Sequence, residues 1–210
     1  HNWLGLGFLM LNSSTRFDLP FNLPSPDQSF RLGGLNVTLS HDSRNNVFTP
    51  TDGNYVEISA AIFDSALGSD IDFRRLGVIG MHYWPLAAKW TLGLRESLSF
   101  NYGSTPFYMK PFVLMRGVPA MRYQGEKVMQ LEAELRWQFW QRFSMLGFAG
   151  AGSAVDEIRQ LTKSSNVVAG GFGFRYELAK KHGIHMGLDM AWSRDGPAFY
   201  IQVGSAWMRP

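Results

Sequence analysis

Arg116 and Gly117 lie midway along a connector that also holds Pro106, Pro111 and Pro119. A guanidinium on a stiffened loop can make charge-assisted hydrogen bonds to carboxylates. Glu132 and Glu134 follow directly, Asp189 comes later, and Arg175 is a further cation. Arg122 and Tyr123 share the connector. The plainer reading of Arg116 is an exposed loop side chain. Asp42, Arg44 and Asn46, followed by Pro50 and Gly53, make a second group. A local ion pair at a strand end and an Asx-type turn fit it equally. His182, His185 and Asp189 hint at a metal triad, but His185 and Asp189 would stand about 13 Å apart along a strand. No metal is expected there. The glycine-rich stretch 147–153 fails the phosphate-loop spacings. No Gly-x-Ser-x-Gly elbow occurs. With 0 Cys, a disulfide scaffold, a cysteine nucleophile and a zinc knuckle are excluded. A Ser–His pair assembled across strands stays open in principle, but nothing singles one out. The expectation is no catalytic residue, no cofactor and no enzyme.

The elements that must carry these residues read as strands. From Met129 to Phe139 every odd position is apolar and every even one polar, including Glu132, Glu134 and Arg136. Period two over that length gives a strand with one greasy and one wet face. The same alternation sets Val168, Phe172, Phe174 and Tyr176 against Arg175, and Met186, Leu188, Met190 and Trp192 against His185 and Asp189. It sets Phe199, Ile201, Val203 and Trp207 against Tyr200, Gln202 and Gly204. Leu35, Val37 and Leu39, and Val56, Ile58 and Ile62, repeat it upstream. In 90–100, Glu96 interrupts the apolar set Trp90, Leu92, Leu94, Leu98 and Phe100, which predicts a bulge or a functional exception. Stretches 3–11, 76–84 and 143–152 read as strands with unassigned faces. About ten strands of roughly 9 to 12 residues result, the length that crosses a bilayer at a tilt. Short connectors (85–89, 141–142, 179–183, 194–197) roughly alternate with long ones (13–34, 41–53, 101–127, 156–166).

Composition supports this. Hydrophobic residues are 45% and charged residues 18%, so disorder is excluded. Aromatics at 14% and 22 Gly suit a β-rich protein that meets lipid. A net charge of +3 without a basic block does not suggest nucleic acid. No run reaches the roughly 20 apolar residues of a spanning helix. The chain opens on His1-Asn2-Trp3, without Met or a basic n-region, which reads as a processed product or a truncated piece. A soluble sandwich or lipocalin-like barrel would alternate too, but with its apolar face inside. Trp and Tyr near strand ends on the apolar face, and whole charges on the other, favour a membrane barrel. Residues 1–210 are read as one all-β transmembrane antiparallel barrel domain.

Several stretches resemble the Omp85 superfamily barrel, the family of bacterial surface antigen D15 and of the BamA and TamA assembly factors. His41-Asp42-Ser43-Arg44-Asn45-Asn46 with Pro50-Thr51 and Gly53 is similar to the family's Y-D-x-R-D-N hairpin. Leu114-Met115-Arg116-Gly117-Val118 with Arg122-Tyr123 resembles its V-R-G-F/Y loop. Ala133-Glu134-Leu135-Arg136, Gly171-Phe172-Gly173-Phe174-Arg175-Tyr176 and the stretch 199–207 follow in family order. The resemblance spans 33–207, with two departures. Val118 replaces an aromatic, and Gly150 stands where relatives carry an Asp that helps hold the loop Arg.

The resemblance implies a bacterial outer-membrane protein whose ten strands correspond to the C-terminal part of a sixteen-strand barrel. It implies Arg116 docked inside against Glu132 or Glu134, and a terminal strand with Phe199, Gly204 and Trp207 forming one lip of a seam. It implies a role in outer-membrane protein insertion or translocation, or an accessory place in an outer-membrane complex. Implied partners are outer-membrane lipid or lipopolysaccharide and other outer-membrane or client barrels, with no nucleic acid. A passive pore is the alternative.

Overall fold

A computed structural model describes residues 1–15, 28–157 and 165–207. Its strands are β1 (Asn2–Thr15), β2 (Gln28–Asp42), β3 (Gly53–Phe63), β4 (Phe73–Ala87), β5 (Trp90–Gly103), β6 (Lys127–Trp140), β7 (Phe143–Val155), β8 (Ser165–Ala179), β9 (Ile184–Ser193) and β10 (Gly196–Val203). They form one antiparallel sheet in chain order, β1 through β10. The sheet curls as a barrel wall does but is not closed: β1 pairs only with β2, and β10 only with β9.

The side-chain alternation becomes two surfaces. Leu131, Leu135, Trp137, Phe172, Phe174, Ile201 and Val203 all stand exposed on the outer face, Leu131 at 50% and Ile201 at 72%. On the inner face Glu132, Arg175 and Asp189 are buried. Apolar outside with charge inside is the arrangement a bilayer requires and water forbids. It overturns the soluble-barrel alternative. An aromatic belt follows the end of the wall that carries the β4–β5, β6–β7 and β8–β9 turns. There Trp90 stacks on Trp137 with ring centroids 5.4 Å apart, and Phe143 packs on Tyr176 at 5.1 Å.

Connectors 64–72 and 104–126 lie at the opposite end, with the two-residue β9–β10 turn. The long connector 43–52 breaks the expected alternation, because it sits with the short turns. The core lies inside the curl, where 104–126 folds back. Val113, Met115, Val118 and Tyr123 pack there against Val128, Ala154, Val167 and Ala169 of the wall.

Two expectations need correcting. No bulge occurs at Glu96: the β4–β5 register runs unshifted from Phe73↔Gly103 through Gly80↔Glu96, breaking only at Pro85/Ala87. Glu96 therefore keeps its parity and points outward. The terminal strand ends at Val203 rather than Trp207. Gly204 adopts φ 79, a left-handed conformation that side chains resist, and turns the chain off the wall. Trp207 then lies inside, 5% exposed, against Tyr55, Met81 and Tyr83. It is not part of the outer aromatic belt.

Candidate functional site in the lumen

The loop 104–126 must reach the inside of the wall and stay there. A 3-10 turn at Phe107–Met109 starts it, and Arg75 of β4 donates to the Met109 carbonyl. An isolated bridge Phe112↔Gln124 closes its neck. At its base Lys110 is 3.1 Å from both Glu126 and Asp156. Burial opposes the Lys110 charge, but these two carboxylates outweigh it and raise its pKa. The Lys110 hydrogen bond in turn holds the Asp156 carboxyl below its ordinary range.

At the tip, Gly117 has φ 85. Its N–H donates to Tyr200 Oη at 2.8 Å and its carbonyl accepts from Ser193 Oγ at 2.6 Å. A side chain there would also crowd Ala191 and Ala169 of the wall. These constraints aim Arg116 into a cluster of carboxylates. Its Nη2 is 2.8 Å from Glu134, its Nη1 3.0 Å from Asp189 and its Nε 4.0 Å from Glu132. The contact with Asp189 is an aligned hydrogen bond, whereas that with Glu134 is a close ion pair without hydrogen-bond alignment. The guanidinium lies 3.7 Å over the Phe148 ring, a cation–π contact.

The carboxylates are shared among several cations. Arg175 also grips Asp189 with both terminal nitrogens. Arg95 donates to Glu132 at 2.7 Å. Three arginines and three carboxylates thus alternate inside the wall. In a medium poorer than water such a balance is what makes buried charge tolerable. Arg122 and Tyr123 act beside this network, not in it. Arg122 Nε is 3.4 Å from Asp195, while Tyr123 donates to Asp195 at 2.6 Å and accepts from Arg194, tying the loop to the β9–β10 turn.

The two departures have physical reasons. Val118 is buried in the apolar cluster that the loop shares with Val128, Ala154, Val167 and Ala169 of the wall. Gly150 pairs with Glu132 across β6–β7, and a Cβ there would stand 2.8 Å from Glu132 Cγ and 3.1 Å from Met115 Sδ. Glycine leaves room for both.

The second motif, in 43–52, combines the two readings that the sequence held equal. Asp42 Oδ1 accepts from the Arg44 backbone N–H at 3.0 Å and from its Nε at 2.9 Å, and Oδ2 accepts from Nη2 at 2.7 Å. Burial opposes the Arg44 charge, yet Asp42 outweighs it and raises the guanidinium pKa. Asn46 Oδ1 caps the N–H groups of Phe48 and Thr49. Its amide then donates to the His182 carbonyl at 2.8 Å. Pro50 accepts from Arg136 at 2.8 Å, and Phe48 accepts from the Ser205 N–H. Gly53, at φ 95, brings the backbone against Ser43. The connector therefore reaches across the lumen mouth to β6, the β8–β9 turn and the segment after β10.

The site contains residues that the sequence did not single out: Arg95, Phe148, Ser193 and Tyr200. Parity alone puts Arg95 and Tyr200 inward, so a signal existed for them. None existed for the cross-chain partners of Asn46 and Pro50. Among the described residues no group of His, Cys, Asp or Glu could hold a metal ion.

Residues 15–115 match the Omp85 superfamily domain. The chain carries an Omp85 superfamily domain. The wall is similar to the crystal structure of BamA from Haemophilus ducreyi lacking POTRA domains 1-3, with a TM-score of 0.64 at 14% identity. That likeness covers 96% of this chain and 49% of the other, so the chain spans about half the length of that structure. No curated protein sequence matches. The domain match takes in the Asp42–Gly53 motif and stops one residue short of Arg116. Residues 15–115 thus carry the family match, and the wall as a whole has the fold of an outer-membrane β-barrel.

Proposed function

We propose that this Omp85-type protein assists the insertion of other proteins into the outer membrane, using the edge of β10 as a template. The observation that carries this reading is the geometry of that edge. β10 has eight residues beside the ten of β9, and the chain leaves the wall at Gly204. A short strand that peels away exposes backbone donors and acceptors at a membrane edge, where an incoming strand can satisfy them. Burial of Trp207 against Tyr83, ring centroids 6.2 Å apart, holds the peeled segment inside. The docked loop and the 43–52 clasp occupy the lumen and support wall chemistry over passage through the middle.

A reversible tether tests it. The chain has no cysteine, so Phe48→Cys with Ser205→Cys adds a single disulfide where Ser205 donates to Phe48. In proteoliposomes, the reduced double variant should speed folding of an unfolded client barrel, and oxidation should slow it several-fold, reversibly. Equal client folding in both states would reject movement of the lip. A stable large conductance in planar bilayers, with no effect on client folding, would favour the passive pore.

A further inference from the structure

A second group of cations lies at the end of the wall that carries the short turns. There Thr51, Lys89, Thr91, Arg136, Gln138 and Ser144 line a cavity of about 300 Å3, and no carboxylate is among its lining residues. The register explains why they meet. Thr91 of β5 lies directly across from Arg136 of β6, and such neighbours on one face of a sheet have Cβ atoms about 5 Å apart. Gln138 is the next inward residue along β6. Ser144 of β7 is the next inward residue beyond Leu146, which pairs with Arg136. The Gln138 backbone N–H donates to the Lys89 carbonyl at 2.9 Å and ties the β4–β5 turn to this corner. Arg136 is the unbalanced charge. Arg95, Arg116 and Arg175 each have a carboxylate, at 2.7, 2.8 and 2.5 Å. Arg136 forms no ion pair among the described residues, and Glu134, two positions away on its own strand, is held by Arg116 instead. Its Nη2 donates to the Pro50 carbonyl at 2.8 Å. Its Nε and Nη1 have no partner among the described residues, and neither is fully buried. Thr91 and Ser144 are buried, yet their hydroxyls line the cavity without a partner among the described residues. Lys89 stands exposed at the mouth, also without an ion pair among the described residues. A guanidinium drawn out of water without a counter-charge is costly, and walls of one sign focus their field on whatever anion enters.

We propose that this cavity binds a phosphate group, with Arg136 and Lys89 supplying the charge and the Thr91 and Ser144 hydroxyls the neutral donors. The donor set selects the chemistry. A guanidinium, an ammonium and two hydroxyls converge from β5, β6, β7 and the β4–β5 turn, which matches a group with several acceptor oxygens and up to about two negative charges better than a single carboxylate. The stacked Trp90 and Trp137 follow Lys89 and Arg136 directly in the chain and belong to the aromatic belt, so the mouth lies at the height of lipid headgroups. The phosphate is that of a phospholipid headgroup or a free phosphate ion, one chemistry from two sources. This inference concerns the turn end of the lumen and does not depend on how the β10 edge works.

The test is calorimetric titration of the full chain in non-ionic detergent, at constant ionic strength in chloride, with inorganic phosphate and dihexanoyl phosphatidylglycerol as separate probes. One saturable site per chain is expected. Tighter binding of the lipid assigns the headgroup as the source, and tighter binding of inorganic phosphate assigns the free ion. Arg136→Gln should weaken binding at least tenfold, and Thr91→Val, which keeps the shape and removes the hydroxyl, several-fold. Lys89→Gln changes an exposed turn residue that the fold does not need, and should also weaken binding several-fold. Lys180→Gln removes the same charge from the β8–β9 turn at the same end of the wall, outside the cavity, and should leave binding unchanged. No saturable binding of either probe, or parental affinity in Lys89→Gln, would overturn the proposal. Equal losses in Lys89→Gln and Lys180→Gln would overturn it too, because net charge rather than a site would then be at work. So would tighter binding of acetate than of phosphate, which would mark a carboxylate site.

Discussion

Replacing Arg116 by Met removes the cation that three carboxylates share. Asp189 keeps Arg175 and Glu132 keeps Arg95, so only Glu134 loses its single close partner. Breaking a fully buried ion pair costs about 3–5 kcal/mol. The Glu134 side chain is 14% exposed, which admits water and puts the loss near the lower end, about 3 kcal/mol. Loss of the stacking on Phe148 adds about 0.5–1 kcal/mol. Glu134→Gln alone should cost less, about 1 kcal/mol, because Arg116 retains Asp189. Urea titration of the vesicle-folded protein, read by tryptophan fluorescence, gives both losses and that of the double variant. The double variant should recover about 1–2 kcal/mol relative to the sum of the two. The cycle with Glu132→Gln should show a smaller coupling, since Glu132 lies 4.0 Å from Arg116 but 2.7 Å from Arg95. Additivity within about 0.5 kcal/mol in both cycles would refute the docked-loop account.

Other outcomes follow from the same geometry. Leu135→Arg puts a charge on the lipid-facing wall and should cost about 2–4 kcal/mol, measured by the same titration; parental stability would invert the face assignment. Trp207→Ala empties the pocket formed by Tyr55, Met81 and Tyr83 and should cost about 3–5 kcal/mol. Gly150→Asp should destabilise despite restoring the residue of relatives, because the Cβ meets Glu132 and Met115; a raised urea midpoint would show that the site relaxes freely. The Asp156 carboxyl is held low by Lys110, so its contribution is present above the ordinary carboxylate range and fades as pH falls through its depressed value. Protease cleavage of 104–126 should therefore rise on acidification, and Asp156→Asn should remove most of that dependence.

The fold was legible where the two faces differ in chemistry. Over residues 129–139 of β6 polar and apolar residues alternate without exception, and the sheet has one solution. In β7 the outward positions are Gly147, Ala149 and Ala151 while the inward ones include Leu146 and Phe148, so both faces look apolar. The inward rings are there because Arg116 and Tyr200 rest on them, a tertiary requirement that leaves no periodic trace. Trp207 was misread because parity was carried through Gly204, where a positive φ ends the strand. Glu96 was seen as an exception, but a bulge and an outward carboxylate give the same sequence pattern, and only the register separates them. For Arg116 the sequence supplied the right acids by parity. It could not supply Arg95 and Arg175 as competitors for them, because that sharing depends on which strands face each other inside the wall.

The most direct measurement of the insertion role is disulfide mapping between β10 and a client barrel stalled during folding. Single cysteines at Phe199, Ile201 and Val203 would be paired in turn with cysteines along the client's edge strand. The account predicts adducts in one register, moving two client residues for each two-residue step along β10. Adducts formed instead from lumen positions such as Gln202 or Arg95, or from none of the β10 positions, would contradict it.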